Sequence, residues 1–460
     1  VSVEFKNWIA KSGYTFHNYE PFAHQYEMMY LQMKHKRFYN FGDMGSMKTA
    51  SVIWTFDILR YHSKAKRLLI IAPLSILESV WIEELQNITP HLKYALMHGP
   101  KADRLRAINS NADVVVTNHD CVRSYYGEII NAKFDMIAID ECTAFKHWGS
   151  ERSKSMKKIC DRAKSVIGMT GTPITTGAMD AYGLAKCINP AMLPTPYMTK
   201  FRNMVMYQIN MYEYEHKPDW KKIVHATLQP SIYVKTEDCV DMPPITFETR
   251  RVTPHKDLQA AYKDMVKQQL IELASGDISA VNAGVKYGKL LQIANGAVIK
   301  DNGEIHRLPI GSKLNEVESV FHESGKKLIV FIQNIAVGAM LEEYFRDKCR
   351  CAFVYGDTKI KRRTEVFNDF QKGDLEMLIA QVSVAAHGLT LTSSSHICYF
   401  GPVMGVEKFL QSIARIRRTG QTRHQHIIKL SSCKVEEMLY DKLDSGKLNN
   451  QDILDMYKEL

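Results

Sequence analysis

Short apolar runs bounded by turn-forming residues recur through the first 190 residues: Leu68 to Ala72, Val114 to Thr117, Met136 to Ile139 and Val166 to Met169. Between them lie amphipathic stretches of helical period, among them Ile76 to Leu85 and Ser153 to Cys160. Strands without polar alternation are buried on both faces, and their rotation with helical stretches predicts a parallel sheet covered by helices. From about Pro190 to Lys300 the pattern changes. Methionine- and tyrosine-rich helical sequence is followed by a Pro243-Pro244 break, a strand-like run from Ile245 to Val252 and a long helical stretch. After Lys313 the alternation resumes, with strands expected at Leu328 to Ile332, Ala352 to Val354, Met377 to Ile379, His396 to Phe400 and His426 to Leu430. The expected organisation is an α/β lobe over 1–189, a linker with a helical insertion over 190–300, and a second α/β lobe over 301–460.

Composition supports this division and narrows the class. A chain of 460 residues exceeds the size at which one core keeps growing, so two domains are expected. Hydrophobic content of 45% and charged content of 24% are those of a globular enzyme. No apolar run reaches the roughly 18 residues of a membrane span, so no membrane segment is expected. The start, VSVEFKNWIAKSGY, lacks a basic region leading into an apolar stretch, which argues against secretion and for a cytoplasmic setting. The nine cysteines are scattered, and the closest pair, Cys349 and Cys351, has neither ordinary disulfide nor zinc-site spacing, so reduced thiols are expected. The net charge of +10 suits an anionic partner and equally a solvated exterior, and alone decides nothing.

The candidate chemistry begins at Gly42 to Ala50, GDMGSMKTA, between the short run Arg37 to Phe41 and a helical pattern. At such a strand-to-helix turn, backbone N–H groups and the helix N-terminus cradle phosphates, a lysine reaches the β and γ oxygens, and a hydroxyl ligates magnesium. Lys48 and Thr49 suit the last two tasks, although the common pattern has glycine where this chain has Met47. A Lys-Thr pair at an ordinary helix start is as good a reading of the loop alone. The pair Asp140-Glu141 shifts the balance, because it ends the apolar strand FDMIAI at the sheet edge where ligands bind in such folds. Asp140 suits a magnesium ligand held through water, and Glu141 a group that orients or deprotonates the attacking water. A further strand, Val166 to Met169, runs into Thr170-Gly171-Thr172-Pro173, threonines that serve either as turn formers or in coupling.

In this order the motifs resemble superfamily-two helicases, and within them the Swi/Snf-like double-stranded DNA translocases. The likeness runs from about Pro21 to Leu430. His24-Gln25 resembles the glutamine motif that reads adenine; GDMGSMKT is followed by IIAPLSILESVWIEEL and VVVTNHD, similar to DNA-contacting segments. IDECTAFK stands at the acidic box, with Lys146 resembling the lysine that often follows, and GMTGTPI is close to the third motif. In the second half KKLIVFIQN, YGDTKIKRRTEVFNDFQ and AAHGLTLTSSSH resemble later motifs, and QSIARIRRTGQ carries the spacing Q-x-x-x-R-x-x-R-x-G-Q from Gln411 to Gln421. The compact length and DECTAFK are similar to phage-encoded members. Departures are Met47 for glycine, Thr390 where asparagine is frequent, and no tryptophan in GPVMGVEKF.

The resemblance implies two RecA-like lobes, ATP and Mg2+ as ligands, and DNA, double-stranded or branched, as partner, with RNA left open. It implies a monomer working in the cytoplasm, the host's if the chain is phage-encoded. Nucleotide contacts are expected from Gln25, Gly42, Gly45, Ser46, Met47, Lys48, Thr49 and Gln411; metal contacts from Thr49 and Asp140; catalysis from Lys48, Glu141, Arg415 and Arg418. Arg415 and Arg418, three apart, are read as neighbours on one helical face acting across a cleft as arginine fingers. Ser75, Thr117, Asn118, Gln333 and Thr390 are expected to grip DNA phosphates, each being equally a turn or cap residue. The 22 tyrosines and 18 phenylalanines form no basic-interleaved ladder for single strands, a slight leaning toward duplex. The leading expectation is an ATP-dependent DNA translocase. The alternatives are a strand-separating DNA or RNA helicase and a nucleic-acid-binding module with a weak or inactive ATP site.

Overall fold

A computed structural model describes residues 2–210, 214–235, 238, 242–274, 288–299, 303–385, 390–418 and 420–445, with side chains left undescribed at 2, 268–274 and 385. The chain divides into two units, Val1–Asp241 and Met242–Leu460. The segment 190–300 is thereby shared between them.

In the first unit, helices α1 (Ser2–Ser12) and α2 (Ala23–Lys34) precede strand β1 (Arg37–Asn40) and helix α3 (Lys48–Tyr61). Then follow β2 (Leu68–Ala72), β3 (Tyr94–Met97), β4 (Val114–Asn118), β5 (Met136–Asp140), β6 (Ser165–Met169), the hairpin β7 (Met206–Gln208) and β8 (Tyr214–His216), and β9 (Ser231–Ile232). Seven of these strands form one sheet in the order β3-β4-β2-β5-β6-β1-β9. Every pairing in it is parallel. The sequence LLIIA of β2 is buried throughout, as a central strand covered on both faces requires. The expected strands are all present, extended by a residue or so. The stretch read as a helix from Ile76 to Leu85 is divided into a 3-10 turn at Leu74–Ile76, a π-helical turn at Leu77–Ile82 and an α-helix at Glu83–Ile88.

Packing explains why residues after 190 stay with this unit. Phe201, Val205, Val224 and Leu228 belong to the same core as Tyr39, Ile71 and Ile139. On the other face, α3 is buried on nearly all sides, with Val52, Ile53, Phe56 and Ile58 fully inaccessible. Two of its polar positions bond to α2: Thr55 Oγ1 donates to Gln32 Oε1 at 2.7 Å, and Gln32 Nε2 donates to Ser51 Oγ at 3.2 Å. The helix that leaves the phosphate loop is therefore fixed by both apolar burial and a satisfied polar seam with α2.

In the second unit β10 (Ile245–Arg251), β13 (Leu328–Ile332), β14 (Cys351–Val354), β15 (Met377–Gln381), β16 (His396–Tyr399) and β17 (Gln425–Ser431) form a six-stranded sheet in the order β10-β17-β16-β13-β15-β14. Its pairings are again all parallel. A hairpin joins β11 (Ala297–Ile299) to β12 (Ile305–Arg307). The strand-like run expected within the linker is thus an edge strand of this sheet, paired along its whole length with β17. The two sheets of parallel strands flanked by helices are the α/β, RecA-like architecture that the sequence predicts.

Candidate active site

The register of the first sheet brings the loop and the acidic pair to one edge. Met169 of β6 is paired with Asn40 of β1 on one side and with Asp140 of β5 on the other. The chain therefore leaves β1, β5 and β6 at the same carboxyl edge, where open α/β sheets bind their ligands. The turn after β1 is held at both ends. Asn40 Oδ1 accepts from Gly42 N at 3.2 Å, and Lys48 Nζ donates to the carbonyls of Gly42 at 2.6 Å and Asp43 at 2.9 Å. A side chain at position 42 is excluded, since its Cβ would lie 2.5 Å from Ser46 Oγ.

Met47, immediately before α3, has φ 56° and ψ 39°. This is the left-handed region, in which glycine is unstrained and an L side chain costs of order 1 to 2 kcal/mol. The departure from glycine noted in the sequence thus falls at a position whose backbone favours glycine. Two neighbours hold the strained turn. Gln25, 1% exposed, donates from Nε2 to the Met47 carbonyl at 3.2 Å while its Oε1 accepts from Phe22 N at 2.9 Å. His24 Nε2 lies 3.1 Å from the Ser46 carbonyl and so carries the hydrogen. Burial lowers the His24 pKa, against the opposing effect of that hydrogen bond, and keeps the ring neutral. Both side chains of the His24-Gln25 motif are thereby bound to the loop.

The acidic pair is oriented by groups that the sequence reading did not assign. Trp81, fully buried, donates from Nε1 to Asp140 Oδ2 at 3.0 Å, and Asp140 Oδ1 accepts from the Glu141 amide at 3.1 Å. Glu141 is itself left-handed, with φ 47°, which turns the chain sharply out of β5. Its Oε2 accepts from Thr170 Oγ1 at 3.1 Å, and that hydroxyl accepts from Thr172 N at 3.1 Å. The threonine run after β6 is thus joined to the second acid by a direct hydrogen bond. Behind the pair, burial first and then the Glu141 and Asp140 charges push the Cys142 thiol well up, so it stays an inert core thiol.

Lys146 packs beneath this edge, forming an ion pair with Asp180 at 3.4 Å and bonding to Thr175 and Thr176. Burial works to raise the Asp180 carboxyl, but bonds from Thr176 and Thr175 and the Lys146 charge outweigh it and hold it low. Gly183 on the helix Met179–Ile188 lets that helix approach, because a Cβ there would sit 1.6 Å from the Lys146 carbonyl oxygen.

The expected nucleotide ligands fit such a ligand on the chemistry present. Ser46 Oγ and Thr172 Oγ1 are buried hydroxyls with no hydrogen-bond partner among the described residues, on the loop and on the threonine run. A Cβ on Gly171 would lie 3.5 Å from Met44 N, so the two segments adjoin. Hydroxyls, a lysine, two carboxylates and the start of a helix form the donor set that phosphates and a hard divalent cation require. Gly45, at φ 89°, and Thr49, half-buried in the first turn of α3, complete the loop.

Of the residues expected to meet nucleic acid, Ser75 is exposed on the 3-10 turn. Thr117 is a correction: it is fully buried, and its hydroxyl donates to the Met97 carbonyl at 3.0 Å, so it faces β3 rather than a phosphate. Asn118 is 7% exposed and accepts from Cys121 Sγ at 2.9 Å.

In the second unit, Gln411 is buried and donates to Glu407 Oε1 at 3.0 Å. The arginines are a second correction. The helix Val406–Ile413 ends before them, and Arg415 N bonds back to Ser412 O as Ile416 N does to Ile413 O, tightening the chain into turns. Arg415, 3% exposed, donates from Nε to the Gln411 carbonyl at 2.9 Å; Arg418 donates from Nη1 to Thr390 Oγ1 at 3.0 Å. They therefore do not share a helical face. Gln333 follows β13, with a buried Nε2 that has no partner among the described residues.

Two family models match the chain in succession. The SNF2-related domain matches residues 32–295, and the helicase conserved C-terminal domain matches residues 312–420. YwqA of Bacillus subtilis, named as an ATP-dependent helicase/translocase, is 26% identical over 434 residues, covering 90% of this chain and 46% of that protein. Protein p41 of Acyrthosiphon pisum secondary endosymbiont phage 1 is 25% identical over 439 residues, covering 89% of this chain and 91% of p41. This chain thus spans about half the length of the bacterial relative. The Sulfolobus solfataricus SWI2/SNF2 ATPase core, solved in complex with dsDNA, superposes with a TM-score of 0.45 at 20% identity, covering 94% of this chain and 92% of that one. With more than half of its residues matched by the SNF2-related domain, this chain belongs to the SNF2-related family.

Proposed function

We propose that the chain is an ATP-hydrolysing motor that translocates on, or remodels, duplex or branched DNA. What carries the reading is the meeting, at one sheet edge, of a lysine-bearing phosphate loop with two oriented carboxylates, one bonded to the threonine run that follows the next strand. Phosphoryl transfer asks little covalent chemistry of a protein, so positioning and charge neutralisation supply the rate.

In this reading Gln25, Gly42, Gly45, Ser46, Met47 and Lys48 hold the nucleotide, and Gln411 positions Arg415 through its carbonyl. Thr49 and Asp140 hold magnesium, which neutralises phosphate charge when bound. Glu141 orients the attacking water and takes its proton, with Thr170 fixing the carboxylate. Arg415 and Arg418 supply positive charge to the γ-phosphate, and Ser75, Asn118, Gln333 and Thr390 contact DNA phosphates. The nucleotide loop lies in the first unit and the arginines in the second. Among the described residues no helix is long and apolar enough to cross a membrane.

The test is ATP turnover measured without nucleic acid and with duplex DNA, branched DNA, single-stranded DNA or RNA. Duplex or branched DNA should stimulate most. Stimulation by single strands alone would favour a strand-separating helicase, and nucleotide binding without turnover an inactive ATP site.

A further inference from the structure

Away from the phosphate loop, three ligand-bearing side chains converge where the segment after α1 crosses α3. Asp57 lies on α3 and is 3% exposed. His91 Nε2 is 2.8 Å from Asp57 Oδ1, and the rings of His17 and His91 are 4.7 Å apart. One nitrogen from each imidazole and one Asp57 oxygen all lie within 4.8 Å of one another, with both histidines on the exposed side. The crossing is held locally by a bond of 2.7 Å from Asn18 Nδ2 to the Asn87 carbonyl.

The charge balance of this cluster is unusual. A carboxylate as buried as Asp57 ordinarily has a permanent cation or several strong donors. Here the ion-pair partner found among the described residues is His91, which is charged only when protonated. The other donor is the Tyr14 hydroxyl, 2.7 Å from Oδ2. The two imidazole rings lie tilted, 4.7 Å apart, and a neutral imidazole offers a nitrogen lone pair to a metal.

We propose that His17, Asp57 and His91 form a binding site for a borderline divalent cation of the zinc class, with water completing the shell. Two imidazole nitrogens and one carboxylate oxygen with an open side are a common three-ligand zinc set, whereas magnesium takes oxygen ligands alone. The cation supplies a permanent counter-charge to buried Asp57. It also ties together the segment after α1, the helix that leaves the phosphate loop and the turn before β3, so its binding free energy adds to the stability of the first unit.

The experiment uses the full chain, stripped with chelator and titrated with cobalt(II) in the absence of nucleotide and magnesium. One equivalent should develop the visible absorption of a low-coordinate nitrogen- and oxygen-ligated cobalt, without a sulfur-to-cobalt charge-transfer band, and one equivalent of zinc should displace it and raise the unfolding temperature. His17→Ala and His91→Ala, both at exposed positions, should abolish the band while keeping the native circular dichroism, and should weaken zinc by more than the roughly 10- to 100-fold that loss of an outer-shell partner costs. His322→Ala, exposed in the second unit, should leave it unchanged. No cobalt absorption, a band that persists in His17→Ala, or a thiolate signature would each overturn the proposal and leave the trio as a hydrogen-bonded clamp.

Discussion

The indole N–H of Trp81 donates to Asp140 Oδ2 at 3.0 Å, joining the π-helical turn after β2 to the carboxylate that ends β5. A hydrogen bond to a charged group contributes roughly 1.5 to 3 kcal/mol. It also fixes the orientation of the carboxylate. Trp81→Phe keeps most of the buried ring and removes the donor, so it should destabilise the first unit by about 2 kcal/mol. ATP turnover should fall severalfold, and the dependence on magnesium concentration should shift upward. Urea denaturation and a magnesium titration of turnover read the two effects separately.

Met47 offers a test of backbone strain. Replacing it with glycine removes the left-handed penalty while giving the unfolded chain more freedom, so stability should change by less than about 1 kcal/mol. Met47→Val places a β-branched residue at φ 56° and should cost about 2 kcal/mol. Thermal melts of the two variants should differ in that order; equal melts would show that the turn relaxes.

The second unit contains a buried ion pair, Lys313 Nζ to Glu436 Oε1 at 2.7 Å, with the partners 3% and 0% exposed. Lys313 also donates to Phe400 O at 3.0 Å, and Glu436 Oε2 accepts from Ser432 N at 2.7 Å. Removing one partner strands the other, so Glu436→Ala should cost roughly 3 to 5 kcal/mol. The paired replacement Lys313→Met with Glu436→Leu should cost clearly less than Glu436→Ala, as a double-mutant cycle by urea denaturation would measure.

Acid sensitivity should arise at the start of β16. Burial first, then the neighbouring His426, lowers the His396 pKa to about 4, with Arg423 and Arg250 acting the same way and Glu323 opposing. The unfolded chain, with an ordinary histidine, takes up this proton first, so stability from this group is fully present above about pH 6.5 and is lost as pH falls toward 4. His396→Asn should flatten the fall in unfolding midpoint across that window.

Much of the fold was legible because short uninterrupted apolar runs in rotation with helical stretches read as central strands, and the acidic pair was legible because it ends one of them. What escaped was short or local. β3, with exposed Tyr94, and the two-residue β9 carry too little apolar pattern to read. The missed β3 explains the misreading of Thr117, whose hydroxyl partner, Met97, lies on it. The sequence SIARIRR continues a helical pattern past Ile413, yet the chain turns there, and periodicity has no term for such a stop. Trp81 was given no role of its own, although a buried indole N–H needs an acceptor and that need was the available signal.

The central claim is that the edge holding Lys48, Asp140 and Glu141 hydrolyses ATP. The most direct measurement is steady-state ATP turnover at saturating duplex DNA for the unaltered chain, Lys48→Ala and Glu141→Gln, with nucleotide binding followed in parallel. The account predicts that Glu141→Gln binds ATP about as well as the parent while turnover falls by about 100-fold or more, the scale of a lost general base, and that Lys48→Ala loses turnover and binding together. Unchanged turnover in both variants would contradict it.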